Sequence, residues 1–369
     1  MKNNKFLITG SEGFIAKNLI FHLKEKIQCD LVFFARKNNE EDLNLLVKDV
    51  SCIVHLAGEN RPKNIDDFYI VNSELTRSLI EAVEKTGRNI PIIFSSSIHA
   101  LGDSHYGISK LAAENLLQSY SLKTGNSVSV LRLPGVFGKW SKPNYNSVVS
   151  TFCHKISRGL PFAIDNPEKI LSLVYIDHVV NDIIKLLSMQ ISGFNVIYSE
   201  NTYSISVGDL AKKILQINED RKKNCVTDVG LGFQRELYAT YISNLPLDKF
   251  CYHLRSKNDD RGNFVEMLKT NSCGQISFFT MKVGAMRGNH YHHTKVEKFL
   301  VVVGEIKFKM INIVTSEEFI IYSSSVEPKI IESIPGWNHS IKNIGDIDAV
   351  VMLWSSESFS EINPDTYIL

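Results

Sequence analysis

The first apolar run of the chain, Lys5–Thr9, ends in Gly10-Ser11-Glu12-Gly13 and passes straight into a helix-patterned stretch opening with Phe14 and Ile15. This order of strand, tight glycine turn and helix constrains the fold more than any other segment. Gly10 permits the sharp turn out of the strand, and Gly13 lets a bulky anion approach the backbone. A pyrophosphate then sits on the helix N-terminus, where unpaired N–H groups and the helix dipole favour negative charge. Glycine turns are common, so the pattern takes its meaning from position: it is the first strand–helix junction of an alternating series. Strand-like runs at Leu31–Phe34, Cys52–Leu56, Ile92–Ser95 and Val128–Leu133 are separated by helical candidates at Phe14–Lys26, Asn72–Thr86 and Gly107–Lys123. Such alternation predicts an α/β unit, a parallel sheet covered by helices.

In such a unit the second strand ends beside the adenosine ribose. An acid there accepts from the 2′-hydroxyl of NAD, whereas cations suit a 2′-phosphate. This chain has Ala35-Arg36-Lys37 and no acid. Arg36 and Lys37 therefore favour NADPH, against the plainer reading of a solvated basic turn. Further on, Ser95-Ser96-Ser97 precedes Tyr106-Gly107-Ile108-Ser109-Lys110. Tyr106 and Lys110, four apart, share one helix face. An ammonium there can lower the phenol pKa, and the phenol can exchange a proton with a carbonyl oxygen that a serine hydroxyl polarises.

The texture changes after Asn244-Leu245-Pro246. Strand-length segments follow at short spacing (Gln275–Val283, Lys298–Val303, Glu305–Ile313, Glu318–Tyr322, Ala349–Trp354) with no long helix between them. That reads as an all-β sandwich or barrel. A boundary within residues 244–255 divides the chain into domains 1–244 and 245–369, as a length of 369 residues leads one to expect. A net charge of +1 gives no reason to expect nucleic acid or an anionic membrane as partner. No apolar run approaches the roughly 20 residues that span a bilayer, and Met1 to Lys5 lead into a strand rather than a signal-peptide core. Six scattered cysteines without a CxxC pair fit a reduced, cytoplasmic protein.

The densest cluster of chemical groups is Gly284 through Gly304. His290, His292, Glu297 and Gly304 follow Gly284 at the spacings G-x5-HxH-x4-E-x6-G, and Gly336, His339 and Asn343 follow as G-x2-H-x3-N. His290 and His292 face one side of a strand, and Glu297 can return from the next. Three imidazoles and one carboxylate suit a divalent metal, with zinc the first choice ahead of manganese, iron or nickel. The competing reading is a barrel whose polar residues hold no metal. These spacings resemble the two motifs of the cupins, which implies a metal-binding jelly-roll barrel. His253 and His293 read as surface residues.

The first domain resembles the extended short-chain dehydrogenase/reductases through TGSEGFIA, His55-Leu56-Ala57-Gly58, Asn72, IIFSSS, YGISK and Leu131 to Gly138. The resemblance implies a Rossmann-type doubly wound sheet. It also implies a cofactor site that includes Gly10, Gly13, Phe14, Ile15, Leu56, Ala57, Gly58, Asn72, Tyr106, Lys110 and Leu133. Tyr106 becomes the proton donor, Lys110 its partner and Ser97 the catalytic serine, with Ser96 as the alternative. Ala16 replaces the usual third glycine, and Lys37 to Cys52 is unusually short. Asp177, in Leu171 to His178, reads as structural; Lys142 to Asn146 reads equally as a plain loop or a sugar contact.

Asp259 to Glu266 and Met286 to Tyr291 resemble the paired signatures of deoxy-sugar 3,5-epimerases, implying Arg261 and Arg287 as anchors for a nucleotide diphosphate. His290 is then claimed both as ligand and as base. The intact HxH favours ligand and leaves the proton-transfer residues open, with Lys298 and Tyr291 as hypotheses. A reductase in front of such a cupin resembles the bifunctional capsular polysaccharide enzymes of the CapF type. That resemblance implies a homodimer acting on a UDP-sugar: C3 epimerisation of a UDP-2-acetamido-2,6-dideoxy-4-hexulose, then NADPH reduction at C4 to the L-talose. Three rivals stay open, a 4-epimerase with tightly held NAD, a non-catalytic cupin module, and an iron dioxygenase.

Overall fold

The computed structural model describes residues 4–358, 362 and 364–368. The chain forms two compact units, Met1–Leu215 with Arg235–Pro246, and Gln216–Gln234 with Leu247–Leu369.

In the first unit, strands β1 (Lys5–Thr9), β2 (Asp30–Phe34), β3 (Cys52–His55), β4 (Ile92–Ser97) and β5 (Val128–Leu133) form a sheet in the order β2-β1-β3-β4-β5, with Phe194–Ile197 beyond β5. All of these pairings are parallel. Successive side chains leave opposite faces, so Leu7, Ile53, Phe94 and Val130 enter one apolar cluster while Phe6, Ile8, Val54, Ile93 and Leu131 enter another. Covering on both faces is what lets β3 and β4 be buried at every position. The chain steps from β1 outward to β2 and returns to β3, so the crevice beyond their carboxyl ends is a topological switch point. The short span from Lys37 to Cys52 holds a single helix, Glu40–Leu46, started by a capping box between Asn39 and Asp42.

Two differences from the sequence reading are local. The helix expected over Asn72–Thr86 is α-helical only over Leu75–Lys85 and is preceded by a π-turn, Ile70–Glu74, to which the helix is joined by the Thr76 hydroxyl donating to the Asn72 carbonyl at 2.7 Å. The contiguous division at residue 244 also misses Gln216–Gln234, which belong to the second unit. There Cys225–Val226 pairs in parallel with Lys269 and Thr270, a pairing across more than forty residues that local pattern does not announce.

The second unit is a pair of β-sheets. One runs Cys225–Val226, Gly262–Thr270, Gln275–Met281, Ala349–Ser355, Glu297–Val303, Ile330–Ser333, with Ser256–Asp259 also paired to Gly262–Thr270. The other runs Glu318–Ser324, Glu305–Asn312, Trp337–Asn343, Met286–Tyr291, Tyr367–Ile368. Phe279, Phe299 and Val301 from the first meet Ile306, Phe308 and Ile341 from the second in one core. The strand Ser256–Asp259 and the bounds of Met286–Tyr291 were not among the strand-length segments read from sequence because both stretches are largely polar. Among the described residues no helix is long and apolar enough to cross a membrane.

Candidate functional site

The nucleotide end of the first unit is built around Gly10. Its φ is +64°, and an added Cβ would lie 2.7 Å from the backbone of Ala57, so only glycine lets β1 and the loop after β3 approach this closely. Thr9 secures the approach: its hydroxyl meets His55 Nδ1 at 2.6 Å and accepts from the Ala57 amide at 3.2 Å. His55 Nε2 reaches Thr76 at 3.0 Å. Burial, assisted by the Lys110 charge, pushes this imidazole down to about 3, so it is neutral. The helix Phe14–Lys26 starts at Gly13 with no side-chain cap and no acid in its first turn, leaving amide groups available to an anion. Phe14 and Ile15 are half-buried beneath it, while Ala16 is fully buried, so a methyl group fits where the third glycine is usual.

Arg36 and Lys37 lie exposed after β2. Lys37 projects from the turn, but Arg36 Nη2 donates to Glu59 Oε2 at 2.6 Å. Glu59 is buried and also accepts from Tyr145 Oη at 2.6 Å and from the amides of Asn60 and Arg61. This ties the loop containing Lys142 and Tyr145 to the loop after β3. Leu56, Ala57 and Gly58 precede Glu59 directly. The Asn72 side chain is taken up by the Glu59 amide (2.9 Å), the Glu59 carbonyl (2.9 Å) and Ser109 Oγ (3.0 Å), so it shapes the loop rather than facing a ligand.

Strand alternation separates the serines of β4. Ser97 caps the short helix Ile98–Leu101 and lies beside Tyr106, whose phenol it helps to ionise. Ser96 points the other way, to Glu114, which forms a buried ion pair with Arg132 at 2.6 Å. Lys110 is buried, donates to the Ser95 carbonyl at 2.8 Å, and lies 4.5 Å from the centre of the Phe94 ring. Leu133 closes β5 and is buried beside Ser97 in register. Burial lowers Lys110 to about 8, against the opposing pull of Glu114. The expected depression of the Tyr106 phenol is not found. Burial raises it, the neighbouring Ser97 hydroxyl only partly offsets this, and the Lys110 ammonium is engaged with Ser95 and Phe94. Tyr106 is therefore protonated. Asp177 accepts from Lys139 at 2.6 Å and lies 3.5 Å from His22.

The second unit gathers His290, His292, Glu297 and His339, whose ligand-type atoms all lie within 4.8 Å of one another. His292, Glu297 and His339 are buried and His290 is half-buried. His292 Nε2 and His339 Nε2 approach Glu297 Oε2 at 3.2 and 3.3 Å. Yet His292 Nε2 and His339 Nδ1 are buried without a hydrogen-bond partner. Orphaned imidazole nitrogens around one carboxylate are costly unless a cation completes them, so the donor set fits a divalent metal. Burial, then the His339 charge, lowers His290 to about 4 and keeps it neutral.

Arg261 and Arg287 converge on Asp259, at 2.6 and 3.2 Å. Of the two residues offered for proton transfer, Lys298 is ruled out by geometry. It follows Glu297 on the strand, so it leaves by the opposite face and pairs with Glu332. Tyr291 stacks on Tyr367 with ring centres 5.5 Å apart. His253 and His293 are exposed. Sequence reasoning missed Glu59, Glu114, Asp259 and Asp365. Glu114 carried a local signal, one helical turn beyond Lys110, and Asp259 opens the segment already singled out for Arg261.

Residues 6–196 match the NAD dependent epimerase/dehydratase family, and residues 257–367 match the polysaccharide biosynthesis C-terminal domain. With the switch-point sheet, this defines a nicotinamide-using enzyme of the oxidoreductase and epimerase class. The chain belongs to the NAD dependent epimerase/dehydratase family, in its two-part CapF-type architecture. It is 47% identical over 363 residues, 98% of each chain, to the UDP-2-acetamido-2,6-beta-L-arabino-hexul-4-ose reductase of Pseudomonas aeruginosa. It matches the capsular polysaccharide assembling protein CapF of Staphylococcus aureus at 35% identity with a TM-score of 0.91 over 100% of both chains. The UDP-glucose 4-epimerase of Thermotoga maritima, 18% identical, shares the fold alone over 64% of this chain and 97% of its own (TM-score 0.57).

Proposed function

We propose that this enzyme converts a UDP-2-acetamido-2,6-dideoxy-4-hexulose to UDP-2-acetamido-2,6-dideoxy-L-talose, by C3 epimerisation at the His/Glu cluster and NADPH-dependent reduction at C4. The product is a capsular polysaccharide precursor on the route to N-acetyl-L-fucosamine, made in the cytoplasm by a homodimer. The observation that carries the reduction is a buried, protonated Tyr106 beside Ser97, on one helix with a buried Lys110 one turn further on. Full-length similarity to a reductase of such a hexulose supports the substrate class.

In the reductase site the ketone oxygen lies between the Ser97 and Tyr106 hydroxyls. Reduced nicotinamide, when bound, would supply the hydride to C4. Tyr106 gives its proton to the oxygen as the alcohol forms, and Lys110 orients the cofactor ribose. Arg36 and Lys37 take the 2′-phosphate. In the second unit the same ketone makes the C3 hydrogen acidic. A base removes that proton, an acid on the opposite face returns one, and C3 is inverted. A divalent ion held there, zinc first, would supply positive charge near the sugar's ketone oxygen. His290, His292, Glu297 and His339 would hold it, and Arg261 and Arg287 would clamp the diphosphate.

The test is incubation with a UDP-4-keto-6-deoxy-N-acetylhexosamine in D2O, with and without NADPH. Deuterium entering C3 without NADPH, and reduced product appearing only with it, is the expected result. No exchange in either case removes the epimerase; no NADPH consumption removes the reductase.

A further inference from the structure

The C-terminal segment reaches the His/Glu cluster from some seventy residues away in sequence. Tyr367 pairs with Tyr291 and Ile368 with His290, extending the sheet that carries the HxH strand. Just before this pairing, the Asp365 carboxylate accepts from the amides of His293 (2.9 Å), Thr294 (2.8 Å) and Lys295 (2.8 Å), and from the Thr294 hydroxyl (3.0 Å). The Asp365 carbonyl meets His292 Nδ1. Thr366 receives the buried Lys295 ammonium at 3.1 Å.

A carbonyl can only accept, so His292 Nδ1 must carry the hydrogen. The lone pair is thereby placed on Nε2, the nitrogen that points at Glu297 Oε2 from 3.2 Å. The carboxylate meanwhile fixes the turn His293–Lys295, which joins His292 to Glu297. We propose that Asp365 is a positioning residue for the cluster. Its carbonyl sets the tautomer and aim of His292, its carboxylate holds the turn between His292 and Glu297, and residues 364–368 form a strap without which the ligands lose register. This rests on reading the cluster as a metal site, and an outer partner of this kind typically changes metal affinity by about 10–100-fold.

The experiment compares full-length wild type with Asp365→Ala and Asp365→Asn, each loaded with Zn2+ or Co2+ alone. Asp365→Ala should release Zn2+ into EDTA about tenfold faster or more, with an altered visible spectrum of the Co2+ form. Amides 293–295 should be protected from hydrogen exchange in wild type and exchange in Asp365→Ala. Asp365→Asn, which keeps an acceptor oxygen without the charge, should fall between. Wild-type release rates and equal exchange in Asp365→Ala would overturn the proposal. If wild type binds neither ion, the metal reading fails instead, and the strap then stands or falls on the exchange of 293–295 alone.

Discussion

His290 stands directly opposite His339, with ring centres 4.6 Å apart, because the strand Met286–Tyr291 carries one extra residue between Gly288 and His290. Gly288 pairs with Ser340, and a regular ladder would set His290 against Asn338. The bulge advances it by one residue to His339 and turns both rings to the same side. Gly288 has φ +86° and Asn289 φ +67°, and a Cβ on Gly288 would lie 2.7 Å from the His339 carbonyl.

Gly288→Val should therefore lose the cluster without touching a ligand. The left-handed backbone costs a β-branched residue about 1–3 kcal/mol, and regularising the strand moves His290 off register. Metal content measured after dialysis should drop well below wild type while NADPH oxidation persists. Wild-type metal content would show that the bulge is dispensable.

Tyr106→Phe should lower NADPH oxidation by about 10²–10⁴-fold, the usual contribution of a positioned acid. Deuterium exchange at C3 should remain. Loss of both would mean that the two activities share a residue.

Lys110, at about 8, sets a pH limit. Below that value the ammonium is present to hold the cofactor ribose; as pH rises through it the charge is lost, and kcat/KM for reduction should fall. A profile level to about pH 10 would exclude the role.

Arg36→Ala should raise KM for NADPH by about 10–100-fold, the worth of one charge-assisted hydrogen bond to the 2′-phosphate, and leave that for NADH nearly unchanged. Equal effects on both cofactors would assign Arg36 to the Glu59 loop alone.

Arg132→Met should destabilise the first unit by about 3–5 kcal/mol, because it strands the Glu114 carboxylate, which is only 3% exposed. Denaturant unfolding measures this directly. A loss under about 1 kcal/mol would mean that Ser96 alone satisfies Glu114.

Much of the fold was legible in sequence. The helix Phe14–Lys26 and strands β1 and β5 were read to the residue, since their apolar periodicity and flanking glycines are local. The polar strand Met286–Tyr291 was not, because only its pairing with Trp337–Asn343 makes it a strand. Lys298 was misjudged for a related reason: which face a residue takes depends on register, and Glu297 already claimed the inner one.

What the sequence by itself determined is the alternation that builds the first unit's parallel sheet and the two groupings of candidate side chains, the Tyr106–Lys110 pair and the three histidines with Glu297. These follow from spacing along a helix or strand, which neighbours in the chain dictate. Only the tertiary structure decided that Ser97 rather than Ser96 meets Tyr106, that Glu59 binds Arg36, that Asp259 gathers two arginines, and that Asp365 steers His292. Several of these partners lie tens of residues apart, and strand alternation and ladder register, properties of the assembled sheets, set which side chains meet.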